Sequence, residues 1–194
     1  MSAPTPGVLS TLLDRIGQDA RSFGDQFPTV GAGQRYQLTE NNHWLAGFWT
    51  GLLWLAYAAT GQEDLRVKAE SLLGSFRDRL DRRIHSTHDL GFLYTLSARA
   101  QWQLTGEAAA RDLALRAARD LARRYHAKGA YLQAWGEIGD PQEGGRTIID
   151  TMMNLPLLFW AGDQLSDPQL QNIAQQHAQT SARYLLRADG STYH

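Results

Sequence analysis

Three times in this chain, a helix-forming segment rich in aromatic residues passes through a short turn into a second, more polar helix-forming segment. The turns are Thr60-Gly61-Gln62, Thr105-Gly106-Glu107 and Leu165-Ser166-Asp167. The first members hold Trp44, Trp49 and Trp54, then Trp102, then Trp160. The second members hold Glu70, Arg77 and Asp78, then Arg111, Asp112, Arg116 and Arg119, then Gln171, Gln175 and Gln176. Turns this short force each pair to be antiparallel. One helix of each pair is then buried on most sides and its partner half solvated. Stacked pairs of this kind make an open solenoid or a closed α/α toroid, so the expected class is all-α. Successive turns are irregularly spaced, which excludes tetratricopeptide and HEAT arrays of fixed period.

Helix formers and stop signals predict seven helices. They run over about 7–27, 43–60, 63–80, 88–105, 107–125, 148–165 and 168–186. Gly61 and Gly106 are suited to end helices in the left-handed conformation. Pro156 is expected to kink the sixth helix or to mark its true first turn. Asp167-Pro168 supplies an N-cap followed by proline at the first helical position. Strand signals are nearly absent. The long connection 126–147 holds Gly129, Gly136, Gly139, Gly144, Gly145 and Pro141.

Charge and composition narrow the function. Basic residues number 19 and acidic residues 20 in 194, a net charge of -1. A nucleic-acid partner would favour a basic excess, and an anionic membrane surface would as well. Cysteine is absent, which removes disulfides, cysteine zinc sites and thiol nucleophiles. The histidines show no His-x-x-x-His spacing, so no metal site is expected. The opening Met1-Ser2-Ala3-Pro4-Thr5-Pro6 lacks a leader's basic and apolar regions. The stretch Leu45 to Ala59 falls short of the roughly 18 apolar residues of a membrane span.

Antiparallel pairing places the start of every aromatic helix on one rim, together with the long loops. Gly-rich loops on a rigid scaffold are where a binding site belongs. Along that rim come Asn41-Asn42-His43-Trp44, Thr87-His88-Asp89, Tyr131-Leu132-Gln133-Ala134-Trp135, Arg146-Thr147-Ile148-Ile149-Asp150, and finally Asp189 to His194. Two carboxylates, Asp89 and Asp150, thus arrive beside His88, His194, Trp44 and Trp135. Carboxylates can move protons or stabilise developing positive charge, and aromatic faces suit sugar rings. The structural alternative is equally concrete. Aspartate at a helix start is an ordinary N-cap, and tryptophans at helical spacing are ordinary core.

Several segments resemble the unsaturated glucuronyl hydrolases of glycoside hydrolase family 88. They are Trp44-Leu45-Ala46-Gly47-Phe48-Trp49-Thr50-Gly51, His88-Asp89-Leu90-Gly91-Phe92, Ile148-Ile149-Asp150 with Met153-Asn154-Leu155-Pro156, and the terminal Asp189-Gly190-Ser191-Thr192-Tyr193-His194. The sister family of unsaturated rhamnogalacturonyl hydrolases shares the toroid, but the His-Asp-Leu-Gly-Phe and Trp-x-x-Gly-Phe-Trp segments favour family 88. The resemblance implies a six-hairpin (α/α)6 barrel. It casts 1–194 as a single domain holding about the first half of that barrel, truncated at its C-terminal end. An open half-barrel would expose apolar helix faces, so self-association is expected.

The resemblance also implies a reaction that needs no metal or cofactor: removal of a 4,5-unsaturated glucuronic acid from lyase-generated oligosaccharides by hydration of its vinyl ether. Asp150 would be the general acid and then base, and Asp89 would stay ionised to stabilise the developing cation. His88, Trp44, Trp135 and His194 match substrate-binding positions, and Arg146 would suit the substrate carboxylate. The location implied is the cytoplasm. Because a helix start favours the carboxylate and a general acid needs the opposite, burial must push Asp150 upward, above Asp89. A non-catalytic carbohydrate-binding chain and a helical scaffold for protein partners are the competing readings.

Overall fold

The computed structural model describes residues 6–33 and 35–194. The opening segment 1–5, read above for a leader, lies outside the described residues. Helix α1 (Pro6–Ser22) leads into a hairpin of β1 (Phe27–Ala32) and β2 (Arg35–Thr39). Three helical pairs follow. The first joins α2 (Ala46–Thr60) to α3 (Glu63–Ser71) and α4 (Leu73–Asp81). The second joins α5 (Leu90–Tyr94), a π-helical segment (Thr95–Arg99) and α6 (Ala100–Thr105) to α7 (Ala108–Ala122). The third joins a 3-10 segment (Ile149–Asn154) and α8 (Leu155–Leu165) to α9 (Pro168–Leu185).

The pair turns form by local chemistry. Gly61 and Gly106 adopt φ of 68° and 75°, and their N–H groups donate back to Tyr57 O and Trp102 O. Ser166 takes the left-handed conformation at the third turn without glycine's freedom. Asp167 caps α9, its side chain accepting from Gln169 N. Pro156 lies in the first turn of α8 and does not kink it, because the preceding residues form the 3-10 segment.

The core lies between the aromatic helices and their polar partners. Leu53 and Trp54 of α2, Leu93 and Tyr94 of α5, and Leu157 and Leu158 of α8 belong to one buried cluster with Phe76, Leu115 and Leu121. Tyr94 carries its polar end inward and satisfies it by donating to Phe76 O at 2.8 Å. The aromatic helices approach closely because small residues line their contacts. A β-carbon on Gly47 would lie 3.0 Å from Leu93 Cα.

Four expectations need correction. The first helix stops at Ser22 instead of reaching Phe27, and 27–39 is an antiparallel hairpin, with Phe27 paired to Thr39 and a register shift between Pro28 and Gly31. Its signal was Thr29-Val30 and Tyr36-Gln37-Leu38-Thr39 around Gly33, which turns at φ 62°. The third helix is two, meeting at Leu72. The fourth is interrupted by the π-helical segment, a register change that side-chain periodicity does not reveal. The loop after α7 contains a short ribbon of β3 (Tyr125–His126) and β4 (Tyr131–Leu132). Among the described residues, no helix is long and apolar enough to cross a membrane.

Candidate active site

The rim expected from pairing brings four of the predicted site residues together. His88 is buried, its ring edge-on to Trp135 with centroids 5.9 Å apart. Its Nε2 faces Asp89 Oδ1 at 3.3 Å and its Nδ1 lies 3.8 Å from Asp150 Oδ1. Nδ1 also meets Thr151 Oγ1 at 2.8 Å. A neutral ring protonated on Nε2 serves both sides, facing its N–H to Asp89 and accepting from the Thr151 hydroxyl. His88 therefore joins the two carboxylates without being a reacting group by necessity.

Neither aspartate is a simple helix cap. Asp89 makes no capping bond to α5. Instead its Oδ2 accepts from Thr87 Oγ1 at 2.9 Å, and its own N–H donates to the same hydroxyl. Asp150 lies in the first turn of the 3-10 segment; its side chain is 41% exposed, yet its Oδ1 is buried and has no hydrogen-bond partner among the described residues. A buried, unsatisfied carboxylate oxygen favours the protonated acid. Burial pushes the Asp150 carboxyl above its ordinary value and the Asp89 charge pushes the same way, against His88 and His194. Burial likewise lowers the His88 imidazole, opposed by Asp89 and Asp150.

Two loops converge because their backbones exchange hydrogen bonds. His88 N–H donates to Ala134 O at 2.8 Å, and Ala134 N–H donates to Arg146 O at 2.8 Å. Phe92 N–H donates to Asn154 Oδ1 at 2.9 Å, which ties α5 to the end of the 3-10 segment. Trp44 joins from the other side through aromatic contacts. It stands edge-on to Phe48 and Phe92, whose rings are tilted by 33° with centroids 5.3 Å apart. Trp44 is 46% exposed, which leaves room for a ligand against it. The terminal segment folds back on α9, with Tyr193 N–H donating to Leu185 O, and this brings the His194 charge within range of Asp150.

Arg146 is placed differently from the rest. Its guanidinium pairs with Glu143 Oε2 at 3.0 Å, and its backbone O accepts from Ala134 N–H in the Trp135 loop. Sequence reasoning gave no role to Thr87, Thr151, Asn154 or Phe92. All four lie inside or beside the quoted motifs, so the signal was adjacency to Asp89 and Asp150. Among the described residues, His88, Asp89 and Asp150 are the one group of donor atoms within 4.8 Å of one another. Both His88 ring nitrogens already face protein partners, so spacing is all that points to an ion there.

No family model matches the chain. Individual relatives do. It is 50% identical over 186 residues to the unsaturated glucuronyl hydrolase of Bacillus sp. (strain GL1), covering 93% of this chain and 49% of that one. It is 39% identical to the unsaturated chondroitin disaccharide hydrolase of Streptococcus pyogenes serotype M1, covering 96% and 47%. The crystal structure of the Bacillus sp. GL1 unsaturated glucuronyl hydrolase, responsible for glycosaminoglycan degradation, superposes with a TM-score of 0.92 at 48% identity, covering 96% of this chain and 50% of that one. A Streptococcus agalactiae unsaturated glucuronyl hydrolase variant complexed with dGlcA-GalNAc6S superposes with a TM-score of 0.81 at 30% identity, covering 100% and 48%. The chain spans about half the length of the curated relatives it matches.

Proposed function

This chain belongs to the family of unsaturated glucuronyl hydrolases, and from that premise we propose that it provides the acid–base half of a site that hydrates 4,5-unsaturated glucuronyl residues at the non-reducing end of oligosaccharides. The observation that carries the reading is Asp150 Oδ1, buried and unpartnered 3.8 Å from His88, in a carboxyl that burial holds toward its protonated form. A carboxyl shifted in that direction is suited to act as a general acid.

In the proposed reaction the Asp150 proton goes to C4 and the C4=C5 electron pair forms the new C–H bond. Positive charge develops at C5 and the ring oxygen, where ionised Asp89 stabilises it. The Asp150 carboxylate then takes a proton from the water that attacks C5. The resulting hemiketal rearranges and releases the sugar. Trp44 and Trp135 offer faces to the sugar rings, and His194 contacts substrate or water. Arg146 serves the substrate carboxylate on exchanging its Glu143 partner. The expected partner is an unsaturated oligosaccharide, and the cytoplasm is the location that goes with this reading.

The test is the ultraviolet absorbance of an unsaturated chondroitin disaccharide mixed with this chain, alongside its Asp150→Asn variant. Absorbance should fall with the wild type and hold with the variant. Loss of the double bond with both chains would overturn the role of Asp150. Binding without loss, in a folded sample, would replace hydrolysis by carbohydrate binding.

A further inference from the structure

Two buried arginines reach from the ends of the polar helices toward this rim, and neither binds its own helix. Arg124 lies two residues beyond α7 and is 3% exposed. Its Nη1 donates to Ser86 O at 2.6 Å, its Nε to Gln133 O at 2.8 Å and its Nη2 to Gly136 O at 3.0 Å. Ser86 leads directly into Thr87-His88-Asp89, while Gln133 and Gly136 bracket Trp135. Arg79, near the end of α4, repeats the device one hairpin earlier. Its Nη1 donates to Asn41 Oδ1 at 3.0 Å and to His43 O at 2.8 Å, in the loop that carries Trp44 into α2.

We propose that Arg124 is a positioning residue, whose single guanidinium clamps the loop bearing His88 and Asp89 to the loop bearing Trp135. Arg79 holds the Trp44 loop in the same manner. An ordinary C-terminal arginine bonds the last carbonyls of its own helix, whereas every side-chain acceptor of Arg124 lies in a rim loop. The planar fork matches three carbonyls at fixed angles, which a lysine ammonium cannot. A buried cation without a carboxylate bonded to it is costly, and among the described residues Arg124 has none within ion-pair distance. The nearby charges that favour its cationic form are Glu137 and Asp89. The clamp itself stands on geometry; its consequence for turnover rests on the hydrolase reading above.

The experiment compares Arg124→Met and Arg124→Lys with Arg123→Met, an exposed neighbour paired to Asp120. Amide hydrogen exchange is followed in peptides covering 84–92 and 130–138. Proton NMR follows the His88 ring, whose shift senses Trp135 at 5.9 Å, and the buried Trp54 indole as a reporter of the fold. Arg124→Met should speed exchange at least tenfold in both loops together and erase the His88 ring-current shift, with Trp54 unmoved. Arg124→Lys should give an intermediate result, and Arg123→Met none. Unchanged loops and an unchanged His88 signal in a folded Arg124→Met overturn the clamp. If that variant does not fold, native loop exchange and an unmoved His88 signal in Arg124→Lys overturn it equally. A wild-type chain that fails to consume the double bond overturns the hydrolase reading alone, since exchange and NMR decide the clamp without turnover.

Discussion

Gly91 meets the backbone of Asn154 where α5 crosses the end of the 3-10 segment, so closely that a β-carbon on Gly91 would lie 2.3 Å from Asn154 Cα. Asp89 lies two residues before this contact and Asp150 four residues before it on the other strand of chain. The carboxylates converge because the glycine has no side chain. Gly91→Ala should therefore force the two segments apart and cost about 1–3 kcal/mol or more. Urea unfolding would report the loss, and turnover of an unsaturated disaccharide should fall further than the stability change accounts for. An Ala variant of native stability and activity would mean that the crossing is not tight.

Asp150→Asn separates chemistry from folding. Turnover should drop by about 10²–10⁴-fold, the order expected for a group that moves the proton in the reacting step. Stability at neutral pH should hold or rise. The folded carboxyl titrates above its unfolded value, so the folded state binds more protons, and stability declines as pH rises through that interval. The neutral amide removes this decline. Thermal melts at pH 4 and pH 7.5, beside the absorbance assay, check both halves; a strongly destabilised variant at pH 7.5 contradicts the second.

His177 predicts the opposite slope. It is fully buried on α9, its Nδ1 accepting from Leu132 N–H and its Nε2 lying 3.2 Å from Ser181 Oγ. Burial first, with the His88 charge adding, lowers it from 6.5 to about 4. The unfolded chain binds the extra proton, so folding stability is present above about 6.5 and is lost as pH falls toward 4, on the order of 3 kcal/mol. His88, also held down by burial, contributes in the same direction. Chemical denaturation across that range should show the loss, and His177→Gln should flatten it.

The apolar side chains Val8, Leu9 and Leu12 of α1, and Leu52 and Leu55 of α2, are exposed. Surface of this kind favours association. We expect sedimentation velocity to show concentration-dependent dimers or larger species, reduced by the double variant Leu9→Gln and Leu12→Gln. A single monomeric species from micromolar to hundreds of micromolar would count against self-association.

The pairing of helices was readable in advance because its signals are local. Gly61, Gly106 and Asp167-Pro168 each act on backbone within a few residues of themselves, so the turns and the shared rim follow from the chain order. The motifs around Asp89 and Asp150 were readable for the same reason, as short runs of residues with ordered spacing. The hairpin of β1 and β2 was not, because its strands are short and Pro28 and Gly31 weaken the alternation that marks a strand. The clamp of Arg124 was hidden for a deeper reason. In sequence it ends the mixed-charge run from Arg111 to Arg124, which reads as a solvated face, and only the return of Ser86, Gln133 and Gly136 around it makes Arg124 a buried donor. Likewise the unpartnered oxygen of Asp150 is a property of what surrounds it. Local turn and helix preferences act along the chain, whereas burial, hydrogen-bond satisfaction and shifted acidity depend on groups far apart in sequence that meet only when the chain is packed.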